Sequence, residues 1–172
     1  MQKPTLYLFL GYPGAGKTTA ARLIKQKTGA ELLWADFERR KMFGDPEHSA
    51  LENDALYAYL NNLTTELLHV GKSVIFDTNF NFFHDREHLR HIADMANADT
   101  KVIWITTPKE VAHNRAVHES EDKDTRLYGN MSEEDFERIA SHLEEPHESE
   151  HAIRIDGCNL DENELFEKLG LN

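Results

Sequence analysis

Residues 11–19, Gly-Tyr-Pro-Gly-Ala-Gly-Lys-Thr-Thr, match the phosphate-binding pattern G-x-x-x-x-G-K-[ST] in full. Five apolar residues, 6–10, precede the motif and predict a strand, and the run 19–24 after it predicts a helix. In this order the loop turns backbone N–H groups toward an anion, and the helix presents its N-terminus to the same charge. The motif therefore predicts a nucleotide site formed by Gly11, Gly14, Ala15, Gly16, Lys17, Thr18 and Thr19.

Two side chains of this loop have assigned chemistry in the pattern. Lys17 is expected to reach the β- and γ-phosphates of a nucleotide. The Thr18 hydroxyl is expected to ligate Mg²⁺.

The composition is that of an ordinary globular chain. With 172 residues, 40% of them apolar, the chain can bury one sizeable core, and we expect a single domain over residues 1–172. The formal charge of −12 argues against a large nucleic-acid face, since such faces need clustered Lys and Arg. Cys158 is the only cysteine, which excludes a disulfide framework. No apolar run approaches about 18 residues and no signal-peptide pattern begins the chain, so we expect a cytoplasmic protein.

Short apolar runs alternate with helical stretches along the chain. The predicted strands are residues 6–10, 31–35, 73–76, 101–105 and 152–155, and the predicted helices are 17–28, 48–70, 83–96, 108–118, 132–143 and 162–169. In the second helix we expect Leu51, Leu56, Tyr59, Leu60, Leu63 and Leu67 to face the core. The alternation predicts an α/β fold, a three-layer sandwich around a parallel sheet. The polar segment 119–131 is typical of a mobile lid.

Acidic and polar residues follow several predicted strands, at the edge where parallel sheets bind ligands. Asp36 follows the second strand and could accept a proton from an attacking hydroxyl. Asp77 follows the third strand and could hold Mg²⁺ through water, while Asn79 beside it could contact substrate. Each Asp alone could equally be a helix cap or a turn residue.

Four arginines could act near these groups. Arg115 and Arg126 are alternative arginine fingers that could stabilise charge on a transferring phosphoryl group, and either could instead be an exposed surface residue. Arg39 could pair with an acceptor phosphate or with Asp36, and Arg86 could hold substrate.

The ten histidines do not predict a metal centre. His84, His88 and His91 share one helical face, but no His-Glu-x-x-His arrangement accompanies them. We therefore interpret them as exposed helix surface.

The P-loop, the Asp36-x-x-Arg39 pair and the segment from Gly71 to Asn79 with Arg86 downstream resemble the polynucleotide kinase and zeta-toxin-like branch of P-loop kinases. The resemblance covers about residues 5 to 157. It implies a five-stranded sheet of order 2-3-1-4-5, with Asp36 as general base and Arg39 in the acceptor site. It also implies Arg115 or Arg126 as the lid arginine, and ATP rather than GTP as the nucleotide. His118 stands where this branch often has a second arginine.

Two classes of function are compatible with these residues. The first is an ATP- and Mg²⁺-dependent kinase acting on a hydroxyl of a small metabolite, a nucleotide-like molecule or the 5′-end of a short oligonucleotide. The second is a nucleotide-dependent switch that hydrolyses ATP slowly and binds a protein partner. The Asp36-x-x-Arg39 pair favours the kinase, because a switch needs no base beside an acceptor pocket.

Overall fold

The computed structural model describes residues 3–120 and 123–171, which form an α/β sandwich. The strands are β1 (Thr5–Leu10), β2 (Glu31–Trp34), β3 (Val74–Asp77), β4 (Asp99–Ile105) and β5 (Ile153–Ile155). The α-helices are α1 (Lys17–Thr28), α2 (Ala35–Phe43), α3 (Ala50–His69), α4 (Phe83–Met95), α5 (Lys109–Val117), α6 (Glu133–Ala140) and α7 (Glu162–Leu169). A 3₁₀ turn, Glu148–Glu150, precedes β5.

All strand pairs are parallel, and the sheet order is β2-β3-β1-β4-β5. The predicted fold class and the order 2-3-1-4-5 are therefore confirmed. None of the helices in the described ranges has both the length and the hydropathy that a bilayer crossing needs.

The central strand β1 separates two apolar layers. Tyr7 and Phe9 pack with α1 and α7 on one face, whereas Leu6 and Leu8 pack with α3 and α4 on the other. Successive side chains of a strand point to opposite faces, so a strand buried on both sides is apolar throughout. This explains why apolar and polar residues do not alternate in the sequence of β1.

A third, smaller core joins α5 to α6. Ala112 and Ala116 of α5 pack against Phe136 and Ala140 of α6, and Tyr12 of the P-loop lies against this group. The hydroxyl of Ser132 accepts a hydrogen bond from the Asp135 N–H at 3.1 Å, which caps the start of α6. The described residues of segment 119–131 between these helices form turns, while residues 121 and 122 lie outside the described ranges.

Helix α2 was not predicted. It begins at Ala35, directly after β2, and its N-cap residue Trp34 provides no side-chain hydrogen bond. No capping residue therefore marks its start in the sequence. As a result, Asp36 lies in the first turn of a helix rather than in a loop after a strand.

The expectation that Arg86 holds substrate is corrected by its position. Its side chain is fully buried and forms a two-pronged ion pair with Glu150, with Nε–Oε1 at 2.6 Å and Nη2–Oε2 at 3.0 Å. It also donates to the backbone carbonyls of Phe80, Asn81 and Glu144. Arg86 thus joins α4 to the 3₁₀ turn before β5, and these bonds occupy its guanidinium.

The pKa of Glu150 reflects this pair. Burial acts to raise the pKa, but the bonds from Arg86 and from the His147 N–H outweigh it and lower the pKa below its ordinary value. The resulting stabilisation is complete above the ordinary pKa of a glutamate. It is lost as the pH falls through the lowered value.

Arg86→Ala leaves the Glu150 carboxylate buried without its partner, so we expect the free energy of unfolding to fall by about 3–5 kcal/mol. Urea denaturation followed by circular dichroism measures this. The control is Arg138→Ala, which removes an exposed pair with Asp135 and should cost less than about 1 kcal/mol. Equal losses in the two variants would show that the buried pair does not support the fold.

Candidate nucleotide and acceptor site

The P-loop packs against neighbouring backbone so closely that two positions cannot carry a side chain. A Cβ at Gly14, where φ is 80°, would lie 2.3 Å from the carbonyl oxygen of Ala112 in α5. A Cβ at Gly157, just after β5, would lie 2.0 Å from the Thr107 Oγ1 and 2.3 Å from the Ala15 carbonyl oxygen. Glycine at these positions lets α5 and the end of β5 fix the loop from outside.

Two side chains hold the loop by hydrogen bonds. The Thr107 Oγ1, after β4, donates to the Ala15 carbonyl oxygen at 2.7 Å. The Asn81 Oδ1, after β3, accepts from the Gly11 N–H at 3.3 Å. Both residues are nearly fully buried, and neither was assigned a role in the site from the sequence. Their positions after strand ends could have indicated them, but nothing in the residue types did.

Lys17 lies inside the loop rather than above it. Its Nζ donates to the carbonyl oxygens of Gly11 at 3.0 Å and Tyr12 at 2.7 Å. Burial lowers the pKa of this ammonium well below its ordinary value, although the nearby carboxylates of Asp77 and Asp36 act in the opposite direction.

Asp77 ends β3 beside this lysine. Its carboxylate is buried, and burial raises its pKa above the ordinary value, while Thr18 and Lys17 act to lower it. The Oδ2 atom has no hydrogen-bond partner among the described residues. A buried carboxylate oxygen beside a threonine hydroxyl is a suitable donor for a hard cation such as Mg²⁺.

These groups surround one pocket of about 350 Å³. Ten of the predicted site residues line this pocket: Gly14, Gly16, Lys17, Thr18, Thr19, Asp36, Asp77, Asn79, Arg115 and Arg126. Gly11 and Ala15 lie in the loop behind its surface, and Arg39 and Arg86 do not line it. Trp34, Ser120, Lys123 and Thr125 also line the pocket; the sequence assigned no role to any of them, although the last three belong to the predicted lid segment 119–131.

Asp36 faces this pocket from the first turn of α2. Burial raises the pKa of its carboxyl group, and the charges of Arg126 and Arg39 lower it. Burial lowers the pKa of Arg126, and the negative charge of Asp36 opposes part of that shift. The segment after α5 therefore brings a cation close to a carboxylate on the opposite side of the pocket.

Two further contacts join segment 119–131 to the rest of the site. The Tyr128 hydroxyl donates to the Asp36 carbonyl oxygen at 3.0 Å. Arg22 of α1 forms an exposed ion pair with Asp124 at 2.8 Å. The described residues of the segment thus reach from α5 to the first turn of α2 beside the pocket.

The other two predicted arginines differ in their partners. The Nη1 of Arg115 donates to the Gly157 carbonyl oxygen at 2.8 Å, so Arg115 is tied to the end of β5 while it lines the pocket. Arg39 is only 6% exposed, yet its Nε and Nη1 have no hydrogen-bond partner among the described residues. A guanidinium in this state is available to an anionic group.

Gly157→Ala should displace the Ala15 carbonyl and Thr107, because the new methyl group has no room between them. We expect affinity for ATP, measured by calorimetry, to fall about tenfold or more. Cys158→Ala, at the exposed neighbouring position, is the control and should bind as the parent does. Unchanged affinity in Gly157→Ala would show that this contact does not determine the loop's shape.

The fold is shared with several solved structures. A candidate kinase from Chloroflexus aurantiacus superposes with a TM-score of 0.75, at 22% identity and 98% coverage of each chain. Mycobacterium tuberculosis APS kinase CysC, in complex with AMPPNP and APS, gives 0.70 at 19% identity over 99% of this chain and 98% of that one. Chaetomium thermophilum Kti12, in complex with ADP-AlF3, gives 0.71 at 20% identity over 96% and 97%. At these identities the likeness concerns the fold.

Sequence comparison adds a relative and a family. The chain is 32% identical over 112 residues to 2′,3′-cyclic-nucleotide 3′-phosphodiesterase of Pongo abelii, and the match covers 61% of this chain. The chain spans about a quarter of that protein's length, since the match covers 24% of it. Residues 6–146 match the AAA domain family. The chain therefore belongs to the AAA domain family, and the predicted resemblance to P-loop kinases is confirmed in its fold.

Proposed function

We propose that this chain transfers the γ-phosphate of ATP to a hydroxyl group of an acceptor. The observation that carries the proposal is the placement of Asp36 in the same pocket as the P-loop, Lys17 and Asp77. The P-loop with Lys17, Thr18 and Asp77, called the phosphate cradle below, would by itself serve any nucleotide-binding protein. A carboxylate across the pocket from the cradle adds a group that can take a proton from an acceptor.

The cradle residues hold the nucleotide in this proposal. Backbone N–H groups of residues 14–19 bind the phosphates, and Lys17 neutralises the β- and γ-phosphates. The Thr18 hydroxyl and the Asp77 carboxylate hold Mg²⁺, Asp77 acting through water. The Asp77 Oδ2, which has no hydrogen-bond partner among the described residues, and its position beside Thr18 support this assignment. The cation supplies neutralisation of the phosphate charge during transfer.

Asp36 is the proposed general base. Burial raises the pKa of its carboxyl group, which makes it a better proton acceptor than an exposed aspartate. The charges of Arg126 and Arg39 oppose that shift and favour the ionised form, which is the form that accepts a proton.

Arg126 is the favoured lid arginine. It lines the pocket from segment 119–131 and interacts with Asp36, so it lies near the region that an acceptor and a γ-phosphate would share. Arg115 also lines the pocket, but its guanidinium is bonded to the Gly157 carbonyl, which ties it to the residues after β5. We propose that Arg126 stabilises the transferring phosphoryl group and that Arg115 supports it from α5.

The acceptor is a small metabolite, a nucleotide-like molecule or the 5′-end of a short oligonucleotide. Arg39 and the exposed Asn79 are the proposed acceptor contacts. The net charge of −12 disfavours extended nucleic acid, because such binding needs clustered cations, and Arg86 and Arg115 are already bonded within the protein.

A slow ATP-hydrolysing switch is the alternative. The same cradle would serve it, but it would not need a proton acceptor in the acceptor region. Transfer of label from [γ-³²P]ATP to pooled metabolites and short oligonucleotides separates the two. A kinase labels an acceptor, whereas a switch releases inorganic phosphate only.

Asp36→Asn keeps the size of the side chain and removes its capacity to take a proton. With the acceptor found in that screen, kcat should fall by about 10² to 10⁴ while ATP affinity hardly changes. Asp54→Asn, which alters an exposed carboxylate of α3 away from the pocket, is the control and should keep its turnover. Turnover close to the parent's in Asp36→Asn would exclude Asp36 as the base.

Nucleotide binding should be linked to proton uptake by Lys17. Burial lowers the pKa of Lys17 in the free protein, and adjacent phosphates should raise it, so Mg²⁺-free ADP should bind with uptake of a proton. Affinity should therefore decrease as the pH rises from the lowered pKa toward the raised one.

Calorimetry in buffers with different ionisation enthalpies measures this uptake. Lys17→Met removes the titrating group while keeping much of the side chain's length, so the difference between parent and variant isolates the lysine from the protons of ADP itself. Identical proton uptake in both proteins would contradict the assignment.

A further inference from the structure

Three side chains of metal-binding type meet at the base of segment 119–131. They are His113 in α5, His118 at the C-cap of α5 and Glu133, the first residue of α6. Their ligand atoms all lie within 4.8 Å of one another, and none of the three lines the nucleotide pocket. Within residues 3–120 and 123–171 this is the only such group, and the histidines of α4 do not form one.

The distances are close to those of a metal centre. The Glu133 carboxylate lies 2.5 Å from the His113 Nε2 and 4.0 Å from the His118 Nε2. Ligand atoms of a tetrahedral zinc ion, with bonds of about 2.0–2.2 Å, stand about 3.3 Å apart. Shifts of about one ångström would bring the three atoms to that spacing. His118 and Glu133 are exposed and free to make such shifts.

The backbone that carries these ligands is held firmly. Ala112, Ala116 and Phe136 form the buried contact between α5 and α6, and the His113 ring packs edge-on against Phe136 with its centroid 4.9 Å away. The Met131 N–H donates to the Ala116 carbonyl oxygen at 2.9 Å. Fixed helices lower the entropic cost of gathering three ligands around an ion.

The ligand types select a class of metal. Two imidazoles and one carboxylate suit Zn²⁺ and neighbouring transition metals, with water in the fourth position. Mg²⁺ prefers oxygen ligands and is matched instead by Thr18 and Asp77.

We propose that His113, His118 and Glu133 bind a divalent transition-metal ion, Zn²⁺ foremost, which clamps the two ends of segment 119–131. His118 lies immediately before the segment, and Glu133 lies just after it. The segment supplies Ser120, Lys123 and Arg126 to the pocket. A bound ion therefore restrains the residues that cover the site. Metal binding itself does not depend on the proposed kinase function.

The contrasting interpretation is a plain hydrogen bond or ion pair between His113 and Glu133, with His118 uninvolved. In that case His118→Gln would leave any affinity for zinc unchanged. In the metal site, His118→Gln and Glu133→Gln each remove one ligand.

Zinc binding to the full chain, prepared without a histidine tag, tests the proposal by competition with a chromophoric chelator. We expect one Zn²⁺ per chain and an affinity about tenfold or more lower in His118→Gln and in Glu133→Gln. His88→Gln changes an exposed histidine of α4 and serves as the matched control, with parental affinity expected. A large excess of Mg²⁺ should not displace the zinc.

Hydrogen exchange of segment 119–131, measured with and without Zn²⁺, tests the clamp. The parent and His88→Gln should exchange more slowly with zinc, and His118→Gln should not. No stoichiometric binding, or equal affinity in His118→Gln, Glu133→Gln and the parent, would overturn the metal site. Binding without any change in exchange would overturn the clamp.

Discussion

The contact between the P-loop and the ends of β4 and β5 determines the geometry of the whole site. Gly157 has no side chain because Thr107 and the Ala15 carbonyl occupy that space, and Thr107 bonds to that carbonyl. The loop is therefore shaped by backbone that the sheet has already positioned. Since α1 begins directly after the loop, the same contact directs the helix N-terminus and Lys17 toward the pocket.

Electrostatics explains why charged groups are stable in this buried position. Lys17, Asp77 and Asp36 each lose hydration. Burial therefore lowers the pKa of Lys17 and raises the pKa of each aspartate, and both changes favour the neutral form of the group. The attraction of Lys17 to both carboxylates offsets part of that cost, and Lys17 also bonds to the Gly11 and Tyr12 carbonyls. Such a site favours the binding of a nucleotide phosphate together with a cation. The phosphate would pair with Lys17, and the cation would pair with Asp77.

The sequence predicted the parts of the site that depend on local pattern. The strand, loop and helix of the P-loop follow from a motif and the sheet order from a family resemblance, and the structure has both. Helix α2 escaped prediction because its start has no side-chain cap. Leu51 and Tyr59 were expected in the core by their helical spacing, but their side chains are 81% and 40% exposed.

Features that depend on distant partners could not be predicted. Arg86 has the same residue type as a substrate-binding arginine, and only the fold shows that Glu150, 64 positions away, occupies its guanidinium. The grouping of His113 and His118 with Glu133 likewise depends on how α5 packs against α6, which no spacing in the sequence indicates. The roles of Asp36, Arg39 and Arg126 remain predictions supported by their positions.

The central claim is that the pocket holds ATP with its γ-phosphate between Lys17 and Asp36. A crystal structure with Mg²⁺ and a non-hydrolysable ATP analogue tests it most directly. We expect the Lys17 Nζ to leave the Gly11 and Tyr12 carbonyls for the β- and γ-phosphates, with the Asp36 carboxylate facing the γ-phosphate across an acceptor space. A nucleotide bound with Lys17 still on those carbonyls, or with its γ-phosphate directed away from Asp36, would show that this claim is wrong.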